Sequence, residues 1–299
     1  MVLAAVIGLM GCQQTPHEES EHTEMPGEVI QESEPATPAD EAEGEEHVLA
    51  DSLHVPWSIQ KHGEDTFFLP EREGHVLRVS EGNVEREQIL LEQEIHQEGE
   101  AGLLGFILAP DFADSQRAYA YHTYQSDDGM FNRIVALLYR EHEWIETKEL
   151  LAGIPGATIH NGGRLAIGPD ELLYATTGDA NKPELSQERD SLAGKILRLE
   201  TDGAIPTDNP FPSSYLYSYG HRNPQGLAWS HDGELYSSEH GPTAMMKLIG
   251  LRPEPIMAGP SFTVMTRRKA WKPRCSIQAT IHGHRLASLG IMTGSTLRD

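Results

Sequence analysis

Short apolar or alternating stretches separated by turn residues dominate the chain from His54 onwards. Aromatic and β-branched residues flanked by Gly, Pro, Asp and Asn are typical of β-strands joined by tight turns. Long helical periodicity is absent, and only residues 93–105 are compatible with a turn of helix. The pattern predicts strands at TFFLP 66–70, HVLRV 75–79, AYAYHTY 118–124, RIVALLY 133–139, LLYATT 172–177, KILRLE 195–200 and ELYSSE 234–239.

A loose repeat joins these strands. An apolar stretch, a turn with aspartate and an aromatic strand recur at Asp65, Asp111, Asp170 and Asp232, at spacings of 46, 59 and 62 residues. Units of this length with a few strands each are typical of propeller blades, whose edges are covered by neighbouring blades. The sequence therefore predicts an all-β fold, with about four blades between residues 50 and 242.

Charge divides the chain into three parts. The 46 Asp plus Glu residues outnumber the 23 Lys plus Arg residues, a balance that disfavours non-specific nucleic-acid binding. Residues 13–49 are acidic and have almost no large apolar side chains, so they are predicted to form a disordered tether. Residues 243–299 are basic, with Glu254 and Asp299 as the acids.

The first twelve residues resemble a secretion signal. The apolar run at 2–10 is too short to span a bilayer and is followed by Gly11 and Cys12. LMGC resembles a lipobox, which predicts that residues 1–12 form a lipoprotein signal peptide that ends at a lipidated Cys12. The alternative is an ordinary signal peptide with an incidental cysteine. Both predict an extracytoplasmic protein, and the lipobox adds a lipid anchor in the membrane.

The strongest local signal is IHNGGRLAIGPDELLYATTGD at 159–179. His160 is predicted at a strand end, before two glycines, and Asp179 follows the next strand. Antiparallel pairing would let Asp179 accept a hydrogen bond from His160 and fix its tautomer. His160 is then a candidate general base. The alternative is a turn histidine that makes structural hydrogen bonds.

Three further segments carry candidate ligand-binding groups. In YGHRNPQGLAW 219–229, Arg222 suits a carboxylate or quinone oxygen, or else ties its loop to backbone carbonyls. Asn223 precedes a proline, which favours an extended backbone. In SSEHGP 237–242, backbone carbonyls at Gly241 and Pro242 can bind calcium. GEAGLLGFILAPDF 99–112 predicts a tight turn into a buried strand, and no dinucleotide-binding or nucleophile-elbow motif is present.

In this order and spacing, the segments resemble the soluble quinoprotein glucose dehydrogenase and aldose sugar dehydrogenase family. The likeness covers about residues 50–242 and includes VPWSI 55–59, PEREGHVLRV 70–79 and LAGKILRLETDGAIPTDNPF 192–211. It implies a six-bladed β-propeller with pyrroloquinoline quinone (PQQ) and Ca²⁺ over the central axis. Here the ring is expected to be incomplete, with about four blades.

The resemblance also implies residue roles. His160 matches the general base that takes the anomeric hydroxyl proton as hydride passes to the quinone, and Asp179 matches the carboxylate that orients it. Glu100 falls where some members carry a glutamine near the cofactor. The other matches are Arg222 and Asn223, which contact the quinone oxygens, and Gly241 and Pro242, whose carbonyls bind calcium. ANKPELSQ after Asp179 departs from the glucose-specific branch, so the preferred sugar stays open.

The likeness stops after Pro242. Read one base earlier, the codons of Met245, Met246 and Lys247 can spell Asp-Asp-Glu, which the family carries at this point. We therefore expect residues 243–299 to be frameshifted translation, and the chain as written to be poorly stable and weakly active or inactive. The alternative is a genuine, divergent carboxyl-terminal region.

The leading functional hypothesis is an enzyme that oxidises a small-molecule aldose and passes electrons to an extracytoplasmic acceptor. A non-catalytic propeller that binds a ligand or a protein is the second, although such a protein would be expected to lose the His160 and Asp179 pair. A calcium-dependent, lactonase-type hydrolase is the third. It needs a cage of carboxylates and asparagine around a central metal, which the sequence does not assemble.

Overall fold

The structure is a computed structural model that describes residues 48–241, 246–251, 263–265, 276–277 and 289–290. Side chains are described for the first two ranges. Cys12, most of the predicted tether, Pro242 and most of the predicted tail lie outside these residues. The predictions of a lipid anchor, a tether and a frameshifted tail therefore stay predictions.

Two four-stranded antiparallel units form the first half of the fold. They share one eight-stranded sheet, because the outer strands β4 and β8 pair in parallel through Gln88–Leu90 and Glu143–Ile145. The first unit contains β1 (Gln60–His62), β2 (Thr66–Glu71), β3 (His75–Ser80) and β4 (Asn83–Leu90). The second contains β5 (Leu103–Leu108), β6 (Arg117–Ser126), β7 (Gly129–Arg140) and β8 (Glu143–Pro155), with the short helix α1 (Phe112–Ser115) after β5.

Two further units follow in chain order. The third contains β9 (Leu165–Ile167), β10 (Leu173–Thr177), β11 (Lys195–Leu199) and β12 (Leu216–Tyr219), with a 3-10 helix at Pro183–Ser186. The fourth contains β13 (Pro224–Trp229), β14 (Leu235–His240), β15 (Met246–Leu251) and β16 (Thr263–Met265). A separate pair joins β17 (Ser276–Ile277) and β18 (Leu289–Gly290).

All seven strands predicted from the hydrophobic pattern are present. The largest difference is at β7, which begins at Gly129 because the hairpin with β6 stays paired up to Ser126–Gly129. The helical turn considered for 93–105 is wrong. Residues 103–108 form the strand β5, whose first four side chains are all buried and present no polar face for a surface helix.

Apolar side chains bury the faces between successive units. Phe68 of the first unit meets Trp144 of the second edge-to-face at 5.2 Å, and Trp144 meets Phe106 in the same way at 4.8 Å. Tyr121 and Leu165 belong to the cluster between the second and third units. A third cluster, between the third and fourth units, contains Tyr174, Ile196, Leu235, Ile249 and Leu251. Each buried large side chain contributes about 1.5–3 kcal/mol, so every unit depends on its neighbours.

This is the architecture of a β-propeller, and the prediction of about four blades is confirmed: the described residues form four four-stranded units. Strands pair antiparallel within each unit, so the start of its first strand and the end of its second lie at the same edge of the sheet. The connections before β5, β9 and β13 and after β10 and β14 therefore share one rim. In the described part of the chain, no helix has the length and apolar character needed to cross a bilayer.

Candidate active site

His160 and Asp179 meet at this rim. His160 Nδ1 lies 2.8 Å from Asp179 Oδ1, and the two side chains are only 9% and 3% exposed. The carboxylate can only accept, so Nδ1 carries the proton and donates it. His160 Nε2 then presents its lone pair, and it has no hydrogen-bond partner among the residues described. The pair thus has the geometry of a base and its orienting acid.

The backbone holds His160 in an unusual conformation. The residue lies within the β8–β9 connection rather than at a strand end, with φ at 60° in the left-handed region. This region is costly for a residue with a side chain and needs support from its surroundings. Glu100 Oε2 accepts the His160 N–H at 2.9 Å, and the His160 carbonyl accepts the Ala180 N–H at 3.2 Å.

Glycine at position 178 permits the close approach of the two site segments. A Cβ at Gly178 would lie 1.8 Å from the His160 carbonyl oxygen and 2.2 Å from its carbon. Gly162 on the facing segment is similarly constrained, with φ at 65° and a Cβ position 2.6 Å from the Thr176 carbonyl oxygen. These positions require residues without side chains, because the obstructing atoms belong to the backbone.

Asp179 is fixed from both sides. Its N–H donates to the Arg222 carbonyl at 2.8 Å, and its Oδ1 also accepts the Asn181 N–H at 2.9 Å. The loop beyond it is anchored by Lys195, whose buried Nζ donates to three backbone carbonyls, those of Leu185, Ser186 and Ala193. Burial lowers the pKa of Lys195 to about 8. Hydrogen bonds therefore hold both Asp179 and the loop that follows it.

Asn223 and Glu100 join the connections that carry the site. Asn223 Oδ1 accepts the Gly162 N–H at 3.0 Å, and Asn223 Nδ2 donates to Glu100 Oε2 at 3.4 Å. Asn223 is buried, and its carbonyl accepts the His240 N–H at 3.3 Å. Glu100 thus contacts the backbone of His160 and the side chain of Asn223. These contacts show that Asn223 and Glu100 position other parts of the site. Only the family resemblance assigns the two residues to a cofactor.

Arg222 is half-buried at the same rim. Its Nη1 donates to the His240 carbonyl at 3.1 Å, which is the loop-tying contact considered as an alternative from the sequence. Within the described ranges the guanidinium has no other hydrogen-bond partner, so its remaining N–H groups can still bind a ligand. Both interpretations of Arg222 are therefore compatible with the structure.

Gly241 lies at the end of β14, beside His240, and is buried. Its predicted partner Pro242 is outside the described residues, so the calcium site stays a prediction. Where the structure describes side chains, one group of three possible metal ligands occurs, at Glu85, Glu87 and His142. It lies on β4 and the β7–β8 turn, away from the rim, and Arg78 already pairs with both of its carboxylates.

A second histidine and acid pair was not singled out from the sequence. His221 Nδ1 donates to Glu239 Oε2 at 3.1 Å, and both side chains are buried. Burial acts to raise the pKa of Glu239, but hydrogen bonds, chiefly from His221, outweigh it, so this pKa lies below its usual value. A signal was present: Glu239 alternates with Leu235 and Ser237 on the buried face of a strand, where an acid is rarely found without a partner.

Comparisons with known proteins agree on one family. The family model described as glucose/sorbosone dehydrogenase matches residues 53–248. Quinoprotein glucose dehydrogenase B of Acinetobacter calcoaceticus is 33% identical over 230 residues, which cover 66% of this chain and 48% of that protein. Aldose sugar dehydrogenase YliI of Escherichia coli is 32% identical over 216 residues, covering 65% and 56%. The chain thus spans about half the length of these curated relatives.

Solved structures give the same picture. The PQQ-bound form of an aldose sugar dehydrogenase from Streptomyces coelicolor is 40% identical, with a TM-score of 0.64, over 69% of this chain and 63% of that one. A glucose dehydrogenase-like oxidoreductase from Thermus thermophilus is 35% identical, with a TM-score of 0.63, over 72% and 71%. The residues matched by the family model, 53–248, include His160, Asp179, Arg222 and Asn223.

Proposed function

Because the chain belongs to the glucose/sorbosone dehydrogenase family, we propose that it derives from an enzyme that oxidises an aldose sugar at C1 to the lactone, using PQQ. The observation that carries this proposal is the buried hydrogen bond between His160 Nδ1 and Asp179, because it leaves His160 Nε2 available to a ligand at the rim. The preferred sugar and the physiological electron acceptor are not part of the proposal.

The donors at the rim fit PQQ. This cofactor carries quinone oxygens and carboxylates, which need N–H donors and positive charge. Arg222 supplies a guanidinium with one hydrogen bond to the described part of the protein, and Asn223 Nδ2 has a second hydrogen besides the one given to Glu100. These two residues would hold the quinone oxygens. When bound, PQQ supplies the two-electron acceptor for the hydride on the sugar C1.

His160 acts on the substrate as a base. Its Nε2 accepts the proton of the C1 hydroxyl, and the ring becomes positively charged. Asp179 stabilises that charge through the bond at Nδ1, and it prevents the ring from turning away. Low exposure strengthens this interaction, because charges interact more strongly where water is excluded.

Calcium is part of the proposal through backbone oxygens. Ca²⁺ prefers oxygen ligands, including carbonyls. Gly241 and Pro242 would supply two of them. The buried position of Gly241 beside the rim supports this role, and substitution of side chains at Glu85 or Glu87 should leave the calcium requirement unchanged.

Reading-frame loss after about residue 243 is a further part of the proposal. The family match ends at residue 248. Met246 and Leu248 of β15 are 48% and 49% exposed. Exposed large apolar side chains on one strand favour either a missing neighbouring blade or a foreign sequence. Resequencing the gene decides between frameshift and a genuine tail. If resequencing shows an intact reading frame across this region, the frameshift proposal is wrong.

We also propose an extracytoplasmic location with a lipid anchor at Cys12. Metabolic labelling with a palmitate analogue tests it: the parent chain should be labelled, and a Cys12→Ala variant should not. Labelling of neither chain would contradict the anchor and leave an ordinary signal peptide.

One assay separates the three functional hypotheses. The protein, with PQQ, calcium and a panel of aldoses, is followed by reduction of an artificial dye. A dehydrogenase reduces the dye, a lactonase-type hydrolase opens lactones without it, and a non-catalytic propeller does neither. Lactone hydrolysis without dye reduction by a frame-restored chain would overturn the proposal.

A further inference from the structure

Ser218, His221 and Glu239 form a buried relay behind the proposed site. Ser218 Oγ lies 2.7 Å from His221 Nε2, and His221 Nδ1 lies 3.1 Å from Glu239 Oε2. The carboxylate can only accept, so Nδ1 donates to it, while Nε2 shares a hydrogen bond with the serine hydroxyl. Each of the three residues is 2% exposed.

Ser218, His221 and Glu239 are linked in the order of a hydrolase catalytic triad, but the serine is not accessible to a substrate. A nucleophilic serine must reach a substrate carbonyl, beside donors for the oxyanion. Ser218 is buried on β12, and its hydroxyl is hydrogen-bonded to His221. The arrangement therefore serves the fold around it rather than a second reaction.

Glu239 also forms a hydrogen bond with the β12–β13 connection, the segment that carries Arg222 and Asn223. Its Oε1 accepts the Arg222 N–H at 3.1 Å, while its Oε2 accepts from His221. Lys247 of β15 also faces Oε1, at 3.5 Å. One carboxylate on β14 thus holds two successive residues of the β12–β13 connection.

That connection is tied in turn to the other site segments. The Arg222 carbonyl accepts the Asp179 N–H, and the Asn223 side chain bridges Gly162 and Glu100. A shift of residues 221–223 would therefore displace the support of both members of the His160 and Asp179 pair. An error of about 1 Å in such a site can lower the rate about 10²-fold.

Burying an ionised carboxylate costs free energy, so glutamate is an unfavourable residue at position 239 if the side chain only fills space. Ionised groups are stable inside proteins when several donors compensate the lost water. The contacts of Glu239 with the His221 ring, the Arg222 N–H and the Lys247 ammonium provide this compensation. We propose that Glu239 is a positioning residue, which acts through His221 and the Arg222 backbone to orient Arg222 and Asn223 towards PQQ. The link to PQQ rests on the proposed function.

The test compares Glu239→Gln with Glu234→Gln in the 299-residue chain. Glu234 precedes β14 on the same hairpin and accepts a hydrogen bond from the Tyr236 hydroxyl, which makes it a matched control. Three quantities are measured: hydrogen-exchange protection of residues 220–224, the His221 tautomer by long-range ¹H–¹⁵N correlation, and the PQQ dissociation constant in calcium by fluorescence titration.

The amide of Glu239→Gln has a single accepting oxygen, so it can keep only one of the two bonds. We expect either protection of the Arg222 amide to fall at least about 10-fold or the proton to leave His221 Nδ1, and the PQQ dissociation constant to rise about 10-fold. Glu234→Gln should match the parent in all three. Ser218→Ala, which keeps the Glu239 contacts, serves if Glu239→Gln does not fold. It should weaken PQQ binding about 3-fold without general loss of protection.

Unchanged PQQ affinity in a folded Glu239→Gln chain, with the parent binding normally, would overturn the inference. So would a uniform loss of protection over the whole chain, which indicates a merely structural role. If no chain binds PQQ, yet Arg222 protection falls only in Glu239→Gln, the proposed function fails while the anchoring of the connection stands.

Discussion

Replacing Gly178 with alanine tests the site geometry most sharply without any need for catalysis. The added methyl group would begin 1.8 Å from the His160 carbonyl oxygen, whereas real Cβ contacts are essentially never under 3.0 Å. The obstructing atoms are backbone, so no side chain can rotate away. The segments that carry His160 and Asp179 must therefore separate.

The separation breaks identifiable bonds. The Gly178 carbonyl accepts the Gly194 N–H at 2.7 Å, and the His160 carbonyl accepts the Ala180 N–H at 3.2 Å. Overpacking together with weakened buried hydrogen bonds should lower the free energy of unfolding by about 3 kcal/mol. For a domain of this size, that corresponds to a fall of roughly 6–12 °C in Tm.

Thermal and urea unfolding of the purified chain measure this effect. Gly250→Ala is the matched control, because its Cβ would meet only the Tyr236 ring, at 3.5 Å, an ordinary contact. We expect Gly250→Ala to stay within about 0.5 kcal/mol of the parent. A Gly178→Ala chain as stable as this control would refute the close approach of the two site segments.

Three further predictions concern charge and the core. Asp179→Asn should lower kcat about 10²-fold in a frame-restored chain, since the neutral amide stabilises the imidazolium less. The control Asp190→Asn, on the exposed part of the same loop, should leave kcat unchanged. Equal kcat values for Asp179→Asn and the parent would contradict the pairing of His160 with Asp179. Burial acts to raise the pKa of Glu71, but hydrogen bonds, chiefly from Arg86, outweigh it, so the folded-state pKa lies below the unfolded one. Its stabilising contribution is therefore present above the unfolded pKa and is lost as pH falls through the folded pKa. Urea midpoints should drop less between neutral and acid pH in Glu71→Gln than in the parent, and equal drops would refute this. Trp144→Ala should lower the free energy of unfolding by about 3–5 kcal/mol, measured by urea denaturation, and a loss below about 1 kcal/mol would contradict the packing between the first two blades.

Local pattern was enough to predict the strands and the repeat, because alternating aromatic and β-branched residues encode strand faces directly. The contact between His160 and Asp179 also followed from the sequence, since β9 and β10 form an antiparallel pair. Their catalytic roles stay proposals, as do those of Arg222 and Asn223.

Other features depend on contacts between distant segments. The left-handed backbone of His160 is supported by Glu100, sixty residues earlier in the chain, and no local signal predicts it. The parallel pairing of β4 and β8 likewise arises from two outer strands that meet only in the assembled fold. The role of Glu239 required the structure, although an acid on the buried face of a strand indicated that a partner was needed.

The central claim is a quinone-dependent oxidation that relies on His160. The most direct measurement is dye reduction with an aldose by three purified proteins: a chain with the reading frame restored after residue 243, its His160→Ala variant and its His142→Ala variant, in which an exposed turn histidine is replaced. Turnover that needs PQQ and calcium, is lost in His160→Ala and is kept in His142→Ala is the predicted result, with little activity from the 299-residue chain. Absence of turnover in the restored chain at saturating PQQ, or full activity without the His160 imidazole, would contradict it.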